Sequence, residues 1–273
     1  MLTMHRPSAP PPPAERGRPT ARPARAALPV GLALAGCLAS PTVHPRAAEE
    51  LGRGYAHLAA GDAERAEVAF EHSLEFAPDL PEGWNGLGVV ARSRGELDAA
   101  RARFARAVRL SPAFAEGHAN LGETLLALER EDEGADELRA ALRIDPDLVA
   151  ARQNLARALL HRGLARPQER PAAWAESRRA YLHLLESEPD RAAAWRDLAL
   201  MDYLSGRYRQ AEAGYRRSVE LEPAPDGLLG LCLSLVRLGR CDEGRAACER
   251  CLAVAPGAED CRRSAAGAAA CAD

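Results

Sequence analysis

The sequence predicts an all-α chain in which one pair of helices is repeated about six times. Three observations carry this. Prolines recur at Pro78, Pro112, Pro146, Pro189, Pro223 and Pro256, spaced by 34, 34, 43, 34 and 33 residues. Between them, small and large apolar residues return at fixed offsets, which is the mark of a repeat architecture. Composition agrees: aromatic residues make up only 4 % and Ile144 is the single isoleucine, so strand-forming side chains are scarce.

Residues 1–25 are rich in Pro, Ala and Arg and lack apolar periodicity, so they cannot bury enough surface to offset chain entropy. Arg16, Arg18, Arg22 and Arg25 then precede an eleven-residue apolar run, Ala26 to Gly36, that is too short to span a bilayer. The order of positive, apolar and small residues is that of a secretory signal. Its end, Leu34-Ala35-Gly36-Cys37, resembles the lipobox of bacterial lipoproteins. The resemblance implies that residues 1–36 are a removed signal peptide, that Cys37 carries lipid, and that the chain is held at the membrane by acyl chains. Leu38 follows the cysteine, and by the same resemblance implies sorting to the outer membrane, facing the periplasm. Residues 37–46 would be a tether with a reach of roughly 30 Å. A cytoplasmic protein with a chance match at Cys37 is the alternative.

From residue 47 the repeat governs. Residues 81–114 show it best, with Trp84, Leu87, Gly88, Ala91, Gly95, Ala100, Phe104, Ala107 and Pro112 at positions 4, 7, 8, 11, 15, 20, 24, 27 and 32 of a 34-residue unit. This closely resembles the tetratricopeptide repeat. The small residues Gly88 and Ala100 fall where two antiparallel helices would press closest, Trp84, Leu87 and Phe104 fill the space between neighbours, and Gly95 supplies the turn. The units are 47–80, 81–114, 115–148, 149–191 with a nine-residue insertion near Leu164 to Ala172, 192–224 and 225–258. Residues 259–273 read as a Cys- and Ala-rich tail. The resemblance implies a right-handed α-solenoid with a concave wall made by the first helix of each pair. Polar insertions fall in turns, so Arg166-Pro167-Gln168-Glu169-Arg170-Pro171 is expected to bulge from one rim.

In this family the groove is lined by positions 2, 5, 6, 9, 12 and 13 of each first helix. Carried onto this chain, position 6 gives Asn120, Asn154 and Asp197, a ladder whose amides can both donate to and accept from a bound backbone. Around it the frame places Asn85, Arg92, Glu123, Gln153, Arg157, Arg196, Leu200 and Tyr203, passing from acidic in the third unit to mixed and apolar in the fifth. Tyr203 and its leucines make the better anchor.

Cys232, Cys241, Cys248, Cys251, Cys261 and Cys271 crowd the last 42 residues. In an exported protein an even cluster reads first as disulfides. Fifteen pairings are open; the repeat frame favours Cys232 with Cys248, whereas Cys248 and Cys251 share one helix face. Their spacings fit no zinc finger, although a metal or redox module is an alternative reading.

Several classes are excluded. The chain has no lysine, all 36 positive side chains being arginine, which removes Schiff-base, pyridoxal-phosphate and phosphate-loop chemistry. Net charge is −3, and residues 1–36 hold five arginines against one glutamate, so the remainder is more acidic still. A nucleic-acid grip would need a basic face. Gly86-x-Gly88-x-x-Ala91 imitates a dinucleotide fingerprint without a preceding strand. No nucleophile elbow or His-Glu-x-x-His pair is present. The expected function is therefore non-catalytic: a scaffold with protein partners, without a cofactor or small-molecule substrate. Its signal and six repeats are similar in layout to the pilotin lipoproteins that help type IV pilus secretins assemble, an analogy of architecture.

Overall fold

A computed structural model describes residues 44–271; the expected signal peptide, Cys37 and residues 38–43 of the expected tether lie outside them, and the last tether residues, Pro45 and Arg46, begin the first helix. Thirteen helices and no strand occur among the described residues. They pair as α1 (Pro45–Ala59) with α2 (Ala63–Phe76), α3 (Pro81–Ser93) with α4 (Leu97–Leu110), and α5 (Ala115–Ala127) with α6 (Glu131–Ile144). Then come α7 (Val149–Ala165) with α8 (Arg170–Ser187), α9 (Ala192–Leu204) with α10 (Tyr208–Leu221), α11 (Pro225–Arg237) with α12 (Cys241–Val254), and a last helix, α13 (Glu259–Ala270). None of them is long and apolar enough to cross a membrane.

The six prolines do what their spacing predicts. Each stands two residues past the last helical residue, as Pro78 does after Phe76 and Pro256 after Val254, because its ring cannot continue the turn. A second role was not legible. The side chain at position 4 of the next unit reaches back to the proline carbonyl: Trp84 Nε1 donates to Pro78 at 2.8 Å and Trp195 Nε1 to Pro189 at 2.8 Å. Arg152 donates to Pro146, and His118 Nε2 lies 3.1 Å from the Pro112 oxygen. Tryptophan, arginine and histidine are interchangeable there because each offers an N–H at similar reach.

Inside each pair, position 24 of the second helix forms a buried spine of Phe70, Phe104, Leu138, Tyr181, Tyr215 and Cys248, none more than 4 % exposed. Close approach of the first helices is what makes room for it. A Cβ added at Gly88 would fall 2.6 Å from the Phe104 ring, and one at either Gly54 or Gly86 would fall 2.5 Å from Phe70. Phe70 is thus wedged between α1 and α3.

Turns inside the pairs use residues with positive φ: Gly61, Gly95, Gly206 and Gly239 at 73–77°. In the third unit the same place is taken by Glu129 at φ 60°, where a Cβ is strained. Glu129→Gly is accordingly expected to stabilise the protein by about 1 kcal/mol, read as a shifted midpoint in urea unfolding; a destabilised variant would show that the turn tolerates its side chain.

The nine-residue insertion does not bulge as a loop. The helices α7 and α8 are 17 and 18 residues long, against 13 and 14 in the neighbouring pairs, and their connection, residues 166–169, has one residue more than the turn inside every other pair. The insertion therefore divides as four residues, one and four. Gly163, in the frame the turn glycine of its unit, stays inside α7, where its missing Cβ admits the Trp174 indole that Arg170 covers at 5.0 Å. A helical extension satisfies its own backbone and buries a tryptophan, whereas a nine-residue loop would do neither. The expected tail is likewise helical over Glu259–Ala270, with Cys261 and Ala268 buried against the last pair.

Every helix packs on the next in sequence. In addition the first helices touch one another, α1 on α3, α3 on α5, and so on to α11 on α13, while no two second helices do. A stack that is tighter along one row bends toward that row. The first helices therefore form the inner wall.

Candidate partner-binding trough

The inner wall carries side chains of α3, α5, α7 and α9 that the hairpin cores leave over. They gather in three places. In the first, Asn120 Nδ2 donates to Asn85 Oδ1 at 2.9 Å, across α5 and α3. Asn85 is fully buried and its Nδ2 has no hydrogen-bond acceptor among the described residues. Beside it the Tyr55 hydroxyl donates to the Glu82 carbonyl at 3.3 Å. Burial pushes the Tyr55 phenol up to about 12, the Glu116 and Glu82 carboxylates adding to this and the Asn85 amide opposing it. Glu116 itself is held above the ordinary carboxylate range, first by desolvation and then by Glu82. This end of the trough is acidic. One turn on, Arg92 bridges to Glu123 at 2.5 Å, tying α3 to α5.

The second gathering lies between α7 and α9. Gln153, Arg157, Arg196 and Asp197 line a depression of about 230 Å³ together with Arg191 and Tyr181. Tyr181 donates to Asp197 at 2.7 Å, Arg196 Nε lies 3.3 Å from the other carboxylate oxygen, and Arg191 donates to Gln153. Arg157 is held by Asn154 at 3.3 Å and has no carboxylate partner among the described residues. Glu222 shares the lining and Arg191 is paired with Glu188, so the three guanidinium groups stand among three carboxylates and this part of the trough is mixed in charge. The third gathering is apolar: Leu200 and Tyr203 pack against the core of α9 to α13, and Tyr203 meets Tyr208 edge to face at 5.5 Å.

The asparagine ladder is thus not continuous. Asn120 turns to Asn85, Asn154 to Arg157, and Asp197 receives the phenol of Tyr181. Tyr55 was missed by sequence reasoning. It stands at position 9 of the first unit, as Glu123 and Arg157 do in theirs, but that unit lacks the tryptophan that makes the frame conspicuous.

At the far end the six cysteines fall into three neighbouring pairs. Cys232 and Cys248 have Cα atoms 5.3 Å apart, Cys241 and Cys271 5.7 Å, and Cys251 and Cys261 5.9 Å, all distances that a disulfide spans. The first pair joins α11 to α12; the other two tie α12 to the two ends of α13.

Comparison with known proteins follows the geometry. The tetratricopeptide repeat model matches residues 51–113 and 85–149. No curated protein sequence matches the chain. Among solved structures, PilF of Pseudomonas aeruginosa is similar with a TM-score of 0.68 over 81 % of this chain and 97 % of its own, at 18 % identity. PilW, described as a widely conserved type IV pilus biogenesis factor, gives 0.64 over 81 % and 98 %, at 18 % identity. YrrB, described as a TPR protein with an unusual peptide-binding site, gives 0.54 over 71 % and 94 %, at 16 % identity. At such identities the likeness is one of fold. The matched repeats, the proline-punctuated helix pairs and the row of touching first helices together make the fold of this chain an all-α solenoid of tetratricopeptide repeats.

Proposed function

We propose that this chain is a protein-interaction scaffold, anchored to the outer membrane through a lipidated Cys37, whose trough holds a protein partner while an envelope complex such as a pilus secretin assembles. The observation that carries the scaffold reading is the inner wall itself. It sets an acidic end at Glu82 and Glu116, a depression of mixed charge at Arg157, Arg196 and Asp197, and an apolar patch at Leu200 and Tyr203 along one row of helices. Such an arrangement suits an extended or helical peptide. The likeness in fold to PilF and PilW supports the pilus version, and Leu34-Ala35-Gly36-Cys37 supports the anchor. An oxidising compartment would in turn let the three cysteine pairs close as disulfides.

Radioactive palmitate should label the wild-type protein in cells and should not label Cys37→Ala. Absence of label, or label that survives the substitution, defeats the anchor and leaves a cytoplasmic scaffold. Crosslinking and capture from membranes should recover a partner whose yield falls about tenfold with Tyr203→Ala, as for the loss of an interface anchor of ~1.4 kcal/mol, and less with Asn154→Ala. Equal yields would move the contact elsewhere. Secretin multimers that are unchanged on deletion of the gene would remove the secretin version alone.

A further inference from the structure

The lengthened fourth unit creates a surface that the regular repeats do not have. Because α8 begins one turn early, its first residues overhang the end of α9. The step encloses a depression of about 450 Å³ between Trp174 on α8, Met201 and Leu204 on α9, and the start of α10. Its floor is apolar: Trp174 and Met201 are core residues, while Leu204 is left 44 % exposed.

Its rim is cationic. Arg178 and Arg207 share a single acceptor, the buried Asp202, Arg207 through Nε at 2.8 Å. Arg207 engages that carboxylate through Nε alone and lines the depression. Arg170 donates to the Gly163 carbonyl at 2.9 Å, lies over Trp174, and has no carboxylate partner among the described residues. Three guanidinium groups against one carboxylate leave an excess of positive charge above an apolar floor.

We infer that this step is a second docking site, on the rim beside the apolar end of the trough, for an acidic segment of a partner protein that carries one apolar anchor. The anchor would lie on Trp174, Met201 and Leu204, and the flanking carboxylates would meet the forks of Arg170 and Arg207. Charge complementarity selects an acidic segment over a basic one. The depression is open to solvent along its side, which suits a length of polypeptide and would leave a fatty acyl chain wet.

The probe is a fluorescein-labelled peptide, Asp-Glu-Phe-Leu-Asp-Glu, titrated with the repeat protein in its full chain and read by anisotropy at low ionic strength. Saturable binding is expected, weakened at least tenfold by Arg170→Glu and by Leu204→Glu, and unchanged by the trough variant Asn154→Ala. Replacing the acidic residues of the peptide with Arg should abolish binding, and sodium oleate should not compete. Circular dichroism of both variants, which alter partly exposed side chains, verifies that the fold is kept. No saturable binding, wild-type affinity in either Arg170→Glu or Leu204→Glu, loss on Asn154→Ala, or displacement by oleate would each overturn the assignment.

Discussion

Phe70→Ala is expected to cost about 3–5 kcal/mol, the largest effect of any single truncation at the amino-terminal end of the stack. Phe70 is fully buried, meets Tyr55 edge to face at 5.1 Å, and fills the gap between Gly54 of α1 and Gly86 of α3. Removing the ring empties a space that two glycine-lined backbones cannot close without moving. In a solenoid each unit leans only on its neighbours, so the loss falls first on the α1–α2 hairpin. Urea unfolding followed through Trp84 should show the lowered midpoint, and hydrogen exchange should show the first hairpin opening before the rest. A cost under about 1 kcal/mol would mean that the interface collapses around the vacancy. The reverse experiment is as direct. Gly86→Ala puts a Cβ against the ring and should cost about 1–3 kcal/mol, while Gly86→Ala with Phe70→Leu should lose less than the two changes added, since the contacts are shared.

The second large effect belongs to the other end. If Cys232 and Cys248 are joined as proposed, replacing both by Ala should cost about 3 kcal/mol, the chain-entropy value for a loop near the 16-residue separation of this pair. Unfolding of the wild type with and without dithiothreitol should show a loss at least as large, since the reductant would open all three pairs, concentrated in α11 to α13. A stability indifferent to reductant would show that the pairs are not oxidised, and with them the case for an exported protein would weaken. The cluster then would be read as buried thiols that fill core space, which Cys232, Cys248 and Cys251, all without exposed surface, do well.

The frame of the fold was legible because a helical pair must start, turn and stop at fixed places, and proline, glycine and small residues mark those places with little ambiguity. Gly88, Phe104 and Pro112 thus stand where the spacing and the resemblance to the repeat family put them, while Trp84 is half-buried and bonds the Pro78 carbonyl. What was not legible depended on length and on shared contacts. Nine extra residues near Leu164 carry the turn-forming Pro167 and Pro171, so they read as a loop, yet both prolines tolerate the site, Pro171 in the first turn of α8 where its missing N–H is not needed. The terminal helix Glu259–Ala270 has small residues where a periodic apolar stripe would betray it. In the trough, position numbers gave the row but not the pairing, because Asn120 could bond Asn85 or a guest with equal chemistry. Glu129 hid its left-handed turn behind an ordinary helix-favouring side chain.

The division of the extra segment into four, one and four residues has a consequence for how such a stack can change. An α-helix rotates about 100° per residue, so four added residues bring each side chain back to within roughly 40° of its former heading, whereas two would send it to the far side. A hairpin can therefore grow by whole turns while its neighbours keep their grip, and each such step lifts a fresh ledge above the adjoining unit. New surfaces on this scaffold are consequently quantised, arriving one helical turn at a time.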